Sequence, residues 1–175
     1  MDAEPLNETE ARAWRSFVVV WRKGLAGLDP TFQEHGMIHT EYGVMAVLSE
    51  QPRGTMCAGE LADLGGLSSS RLSHRLTIME ARGDITRYPA TDDARKVEVT
   101  ITAQGRRRIA AARSQHIADV RRLMFDPLDE EQTTALADAL MTIASHLTDH
   151  PFLTRYLATG ISSGNEGRRF EDRGS

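Results

Sequence analysis

Apolar positions in the first part of the chain recur with helical spacing. Trp14, Phe17, Val18, Trp21, Leu25 and Leu28 follow one another at steps of three and four along one stripe. Asn7 or Thr9 is suited to cap this helix, and Glu8 and Glu10 sit in its first turn, where the helix dipole favours acid. Asp29-Pro30 is expected to end it, because the residue before a proline is pushed out of helical geometry. A connection then runs to Gly36. A second helix is predicted from His39-Thr40 to just before Pro52, with Tyr42, Met45, Ala46 and Leu48 inward.

The pattern then shortens. A third helix is predicted over Ala58–Leu64, followed by the turn Gly65-Gly66. Ser68 caps a fourth, which runs to Arg82 and is closed by Gly83. Ile85–Tyr88 and Lys96–Ile101 have strand character, the second alternating as KVEVTI, and the turn formers of Pro89–Arg95 make a hairpin tip between them. Thr102 opens a long helix with Ile109, Ile117, Val120 and Met124 on one side, broken at Asp126-Pro127. Asp129 with Gln132 reads as a capping box, after which Leu136, Leu140, Ile143 and Leu147 repeat at four, three and four. From His150 the periodicity decays into the Gly/Ser-rich, charged ISSGNEGRRFEDRGS, and a flexible tail is expected.

Two helices, two short helices, a ribbon and two more helices make a mainly α chain with a small β-hairpin wing. That order is a winged helix-turn-helix with N- and C-terminal dimerisation helices. Its expected parts are residues 8–52 (N-terminal support and dimerisation), 53–105 (the winged core), 106–148 (C-terminal dimerisation helices) and 149–175 (the tail). The terminal helices carry apolar stripes that this chain alone cannot cover, so a second subunit is the expected cover.

Composition changes this picture little. The 175 residues suit one domain with an extension, and 40% hydrophobic with 26% charged residues is ordinary for a globular protein. No apolar run approaches the ~20 residues of a membrane span, and the acidic start MDAEPLNETEARAWR is no secretory signal. The single Cys57 excludes an internal disulfide framework and fits a reducing, cytoplasmic setting. The net charge of −4 conceals an asymmetry. Thr55–Ala110 holds nine Lys/Arg against seven Asp/Glu, an excess of two, which leaves −6 on the remainder. A polyanion needs only the docking face to be positive.

The fourth helix carries the sharpest chemistry. Leu72, Leu76 and Met79 share one side, while Ser70, Ser73, His74 and Thr77 face away with Arg71 on the flank. A helix enters the major groove with its N-terminal residues against base edges, and short hydroxyls, histidine and arginine are groups that read bases or hold phosphates there. A solvated amphipathic face would show the same periodicity. The ribbon tip TDDARK adds Arg95 and Lys96 where a hairpin projects furthest, and a narrow minor groove attracts arginine. Asp93, two residues before Arg95, is near enough to orient it.

The pattern ELADLGGLSSSRLSHRL…MEARG, the basic strand end at Arg87, Asp93-Ala94-Arg95 and the closing ITAQG together resemble the core of MarR-type (multiple antibiotic resistance regulator) transcription factors. HTEYGVMAVLSE and AARSQHIADVRRLMFDPLDEEQ are similar to the flanks of that family's actinobacterial members. The resemblance spans most of Glu8–Leu147. It implies a homodimer on a pseudo-palindromic double-stranded operator, most often a repressor released by a small aromatic or carboxylate effector. By resemblance, Ser68, Ser69, Ser70, Arg71, Ser73, His74 and Arg75 lie in or beside the major groove and Arg95 enters the minor groove; Thr77 continues the same helix face. Arg87, Asp93, Arg95 and Lys96 belong to the wing contact. His74 and Ile78 depart from the family, standing where an arginine and a basic residue are frequent, so base preference transfers less readily than fold.

The family places its effector between the dimer helices and the winged core, where Trp14, Trp21, His35, His39, Tyr42 and His116 supply aromatic candidates and Arg15 a partner for a carboxylate; Trp14 and Trp21 are better read as dimer-core residues. Other constellations carry less. Cys57 has only Arg53 near it in sequence to activate a thiol and reads as a partly buried structural group. His35/His39 and His146/His150 have i, i+4 spacing without the HExxH context or a cysteine partner, so no metal site is expected. Serines 68–70 lack a GxSxG elbow and no phosphate loop occurs, so neither catalysis nor a cofactor is expected. The alternative from another class is a winged-helix module that binds protein rather than sequence-specific DNA.

Overall fold

The computed structural model describes residues 4–91, 93 and 95–147. The expected tail, 149–175, and His150 lie outside them. The chain divides into two compact units, Met1–Leu128 and Asp129–Ser175.

The first helix, α1 (Glu8–Glu34), opens on a capping box. Asn7 Oδ1 accepts from the Glu10 N–H at 3.0 Å while Glu10 accepts from the Asn7 N–H at 2.8 Å. It does not stop at Asp29-Pro30 but carries Pro30 inside it to Glu34. The missing N–H and the ring's clash with the preceding turn cost ~3 kcal/mol. Against that, the continued turn buries Phe32 completely, a large apolar side chain worth about 1.5–3 kcal/mol, and buries Thr31, whose hydroxyl donates to Asp119. Tertiary burial outweighs the local signal.

Next come α2 (His39–Glu50), β1 (Thr55–Cys57), α3 (Ala58–Leu64), α4 (Ser69–Ala81), β2 (Ile85–Pro89), β3 (Val97–Ile101) and α5 (Ala103–Val120). The ribbon gains a strand that the sequence pattern did not reveal. β1 pairs antiparallel with β3, giving the order β1-β3-β2 with Met56 and Arg87 flanking Val99. Three residues are too few for an alternation to register. Met45, Leu48, Leu72, Leu76, Met79, Ile85 and Val99 form the core among α2, α4 and the sheet.

The turn from α4 into β2 needs a left-handed residue, supplied by Gly83 at φ +76. Thr102 then caps α5, accepting from the Gly105 N–H at 3.0 Å and donating to the Gly83 carbonyl at 2.6 Å. Gly105 lies so close under the Asp84 carbonyl that a Cβ would collide with it. α5 packs on α1 and α2, and after Val120 it widens into a π-helical turn, Arg121–Phe125. At α1, Gly27 admits the Leu123 side chain of that turn.

In the second unit, α6 (Glu130–Leu147) starts on the expected capping box, with Asp129 accepting from the Gln132 N–H at 2.8 Å and Gln132 from the Asp129 N–H at 3.1 Å. Leu140, Met141, Ile143 and Leu147 are exposed on it. On α1, Trp14, Phe17 and Trp21 are likewise exposed and stack in series, with ring centroids 5.9 and 6.4 Å apart. Among the described residues no helix is long and apolar enough to cross a membrane.

Candidate nucleic-acid interface

Helix α4 is divided by its own periodicity. Leu72, Leu76 and Met79 are buried, while Ser69, Ser70, Arg71, Ser73, His74 and Thr77 are exposed and Arg75 is half-buried. Ser68 caps the helix, its Oγ accepting from the Arg71 N–H at 3.4 Å and lying 3.3 Å from the Ser70 hydroxyl. Thr77 donates to the Ser73 carbonyl at 3.0 Å, so its hydroxyl presents acceptor lone pairs outward. The first two turns therefore offer hydroxyls, an imidazole and a guanidinium to whatever lies in front of them.

At the hairpin tip Asp93 holds Arg95 from three sides. Its Oδ1 accepts from the Arg95 Nε and backbone N–H, both at 3.0 Å, and its Oδ2 accepts from Nη2 at 3.1 Å. The guanidinium bonds, and after them the backbone one, hold the Asp93 carboxyl below the usual carboxylate range. Arg95 itself is 91% exposed, a fixed cation projecting from the fold. Lys96 follows, also exposed, with its backbone N–H donating to the Asp93 carbonyl at 2.8 Å and its own carbonyl accepting from Ala90. Between helix and ribbon lies a cleft of about 120 Å³ lined by Ala58, Ser69, Ser73, Arg87 and Val97.

No model of a known protein family matches the chain. Solved structures do. AbsC, a MarR family transcriptional regulator from Streptomyces coelicolor, is 33% identical, with 83% of this chain and 98% of that one covered and a TM-score of 0.74. The chain belongs to the MarR family. Sco3205, a MarR family regulator from the same organism solved in complex with DNA, is 29% identical over 85% of this chain and 94% of its own, with a TM-score of 0.77. The HTH-type transcriptional regulator PecS of Dickeya dadantii (strain 3937) is 26% identical over 126 residues, 70% of this chain and 74% of that protein. The family is one of DNA-binding transcriptional regulators with the winged helix-turn-helix fold, not of enzymes.

Within this MarR-family fold, Arg87 sits differently from the other expected contact residues. Its Nε and Nη2 donate to Glu80 Oε2 at 2.9 and 2.6 Å, and its backbone N–H donates to Oε1 at 3.0 Å. The Arg87 fork holds the Glu80 carboxyl below its ordinary range. Glu80 was invisible as a site residue in the sequence, because the pair is joined only by the fold of α4 back onto β2.

The expected effector residues separate into groups. Phe32 stands between Tyr42 at 4.9 Å, His116 at 5.4 Å and His39 at 5.6 Å, and Tyr42 meets His116 at 4.6 Å between ring centroids. Burial lowers both imidazole pKa values; for His39 the Asp29 charge opposes it, while for His116 His39 adds to it and Asp119 opposes. His116 Nδ1 is buried without a hydrogen-bond partner. His35 contributes its carbonyl, which accepts from Arg108 at 3.1 Å. Arg15 and Trp21 stand on the exposed part of α1, Trp21 stacked on Phe17, outside this cluster. Phe32, the hub, escaped the sequence reading because Pro30 placed it in a connection rather than on a helix. Cys57 is a half-buried free thiol at the cap of α3.

Proposed function

We propose that the protein is a homodimeric repressor that binds a pseudo-palindromic operator and leaves it when a small aromatic or carboxylate effector binds. The observation that carries the operator reading is the pairing of two exposed elements in one unit. One is the hydroxyl- and base-bearing face of α4 from Ser68 to Thr77; the other is Arg95, held outward by Asp93. The helix suits base edges in the major groove, and the arginine suits the negative potential of the minor groove beside it. Arg71 is the residue for a bidentate guanine contact or a phosphate, with Ser73, His74 and Thr77 reading beside it. Lys96 adds charge to the wing.

Sco3205 and a mutant of Escherichia coli MarR, the latter 17% identical and like this chain in fold alone, have been solved with DNA. That supports the same role here. The exposed stacks on α1 and the exposed apolar residues of α6 are the surfaces for a second copy, and residues 8–52 and 106–148 are assigned to dimerisation on that basis. The Phe32, His39, Tyr42 and His116 cluster, set where α1, α2 and α5 meet, is the effector region; its rings suit a flat aromatic and its imidazoles a carboxylate.

Selection of bound fragments from random DNA tests the reading. The expected product is a pseudo-palindrome with half-sites about one helical turn, ~10 bp, apart. Footprints of Arg71→Ala and Ser73→Ala should show altered base preference. Wild type and both variants sharing one preference would show that the reading face lies elsewhere.

A further inference from the structure

Arg87 stands on β2, the outer strand of the wing, yet its hydrogen bonds turn inward to one carboxylate. Its side chain is 25% exposed, against 91% for Arg95 on the same hairpin. Glu80, its partner, belongs to the last turn of α4, next to the fully buried Met79. One oxygen takes the guanidinium at 2.9 and 2.6 Å, and the other takes the strand's own N–H at 3.0 Å. A fork plus a backbone bond defines direction as well as distance. An ion pair still partly open to solvent adds only modestly to stability; what distinguishes this arrangement is the angle that it sets.

That angle matters because the two groove-reading elements meet here. Arg87 lines the cleft with Ser69 and Ser73 of the recognition face on one side and Val97 of β3 on the other. From Arg87 the strand runs on toward the tip that carries Arg95. Over roughly four residues, ~13 Å at the rise of a strand, a rotation of about 10° displaces the tip by about 2 Å. Such a displacement is enough to break a hydrogen bond.

We infer that Glu80 and Arg87 are positioning residues, whose bond sets the wing against the recognition helix so that α4 and Arg95 address one stretch of duplex together. The inference rests on the operator reading above. It removes Arg87 from the direct contacts and makes Glu80, an acidic residue beside a polyanion site, a determinant of specificity.

Fluorescence anisotropy over a salt series, on an operator and on an unrelated duplex, tests it. Glu80→Ala and Arg87→Met should each lower the ratio of operator to unrelated affinity by about tenfold, with the salt slope of Arg87→Met unchanged. The Arg95→Ala penalty should shrink at least threefold in a Glu80→Ala background, whereas distant residues without shared partners combine independently to within about twofold. Glu80→Asp, a methylene too short for the same fork, gives the same readout if Glu80→Ala melts. A slope flattened by about 0.9 per subunit in Arg87→Met, with Glu80→Ala neutral, would make Arg87 a phosphate contact and overturn the inference. Additive Glu80 and Arg95 effects would overturn it as well. In both cases wild type still binds its operator; a wild type that bound no duplex would instead overturn the operator reading itself.

Discussion

The fully buried carboxylate of Asp84 accepts a 2.8 Å hydrogen bond from Arg108, joining the residue that leads into β2 to the helix behind it. Its other oxygen accepts from Arg82 at the end of α4 at 3.1 Å. Arg82 continues to Glu41 on α2 at 2.8 Å and to the Gly36 carbonyl at 2.7 Å. The end of α4, the start of β2, α2 and α5 thus share one ionic junction. Asp84→Ala leaves Arg108 without its carboxylate and Arg82 with Glu41 alone, each guanidinium about a quarter exposed. Removing one partner of a buried pair typically costs 3–5 kcal/mol, and partial hydration of the arginines puts this site near the lower end, about 3 kcal/mol. Urea unfolding of wild type and variant measures it; a change under about 1 kcal/mol would show that the junction is not a stabilising one.

The Trp14–Phe17–Trp21 series is exposed to 59%, 47% and 58%, a contiguous apolar surface of the kind that marks an interaction site. Sedimentation at micromolar concentration should therefore give about twice the 19.4 kDa chain mass. Trp21→Glu places a charge in the stack and should shift the population toward monomer. A wild-type monomer would remove the basis for two half-sites.

Arg95→Ala should weaken binding to operator and unrelated duplexes alike, most on A·T-rich flanks. It should also lower the slope of log affinity against log salt by about 0.9 per subunit, ~1.8 per dimer. Asp93→Ala should act more mildly in the same direction, since it frees the arginine without removing it. An unchanged slope for Arg95→Ala would place the wing away from the duplex.

His39 and His116 have folded-state pKa values below the unfolded 6.5, chiefly through burial. Between the folded value and 6.5 the unfolded chain binds more protons, so stability falls as pH drops through about 6.5 and levels off below the folded value. Melting temperatures across that range should decline accordingly, ahead of the loss expected at lower pH from Glu80 and Asp119, whose carboxyls are held low. His116→Phe should flatten the decline. It also removes a buried, unpartnered Nδ1, for a gain of about 1 kcal/mol at neutral pH. An unaltered pH profile in that variant would exclude His116 as a source.

The elements legible from sequence are those set by residues a turn apart. Ser68 and Thr102 cap their helices, Gly83 closes α4, and Asp129 with Gln132 opens α6, as their spacing predicts. The exposed face of α4 and the Asp93–Arg95 pair were readable for the same reason, since three-to-four-residue periodicity and a two-residue reach are local geometry. What escaped depends on segments distant in the chain. α1 passes through Pro30 because Phe32 finds the core, and β1 exists because β3 offers it a ladder. Phe32 gathers His39, Tyr42 and His116 from two further helices. Glu80 claims Arg87, and Asp84 collects Arg82 and Arg108. Capping and periodicity act within a turn and are written in neighbouring residues. Burial and ion pairing act through space, so only the tertiary structure decides which side chains share them.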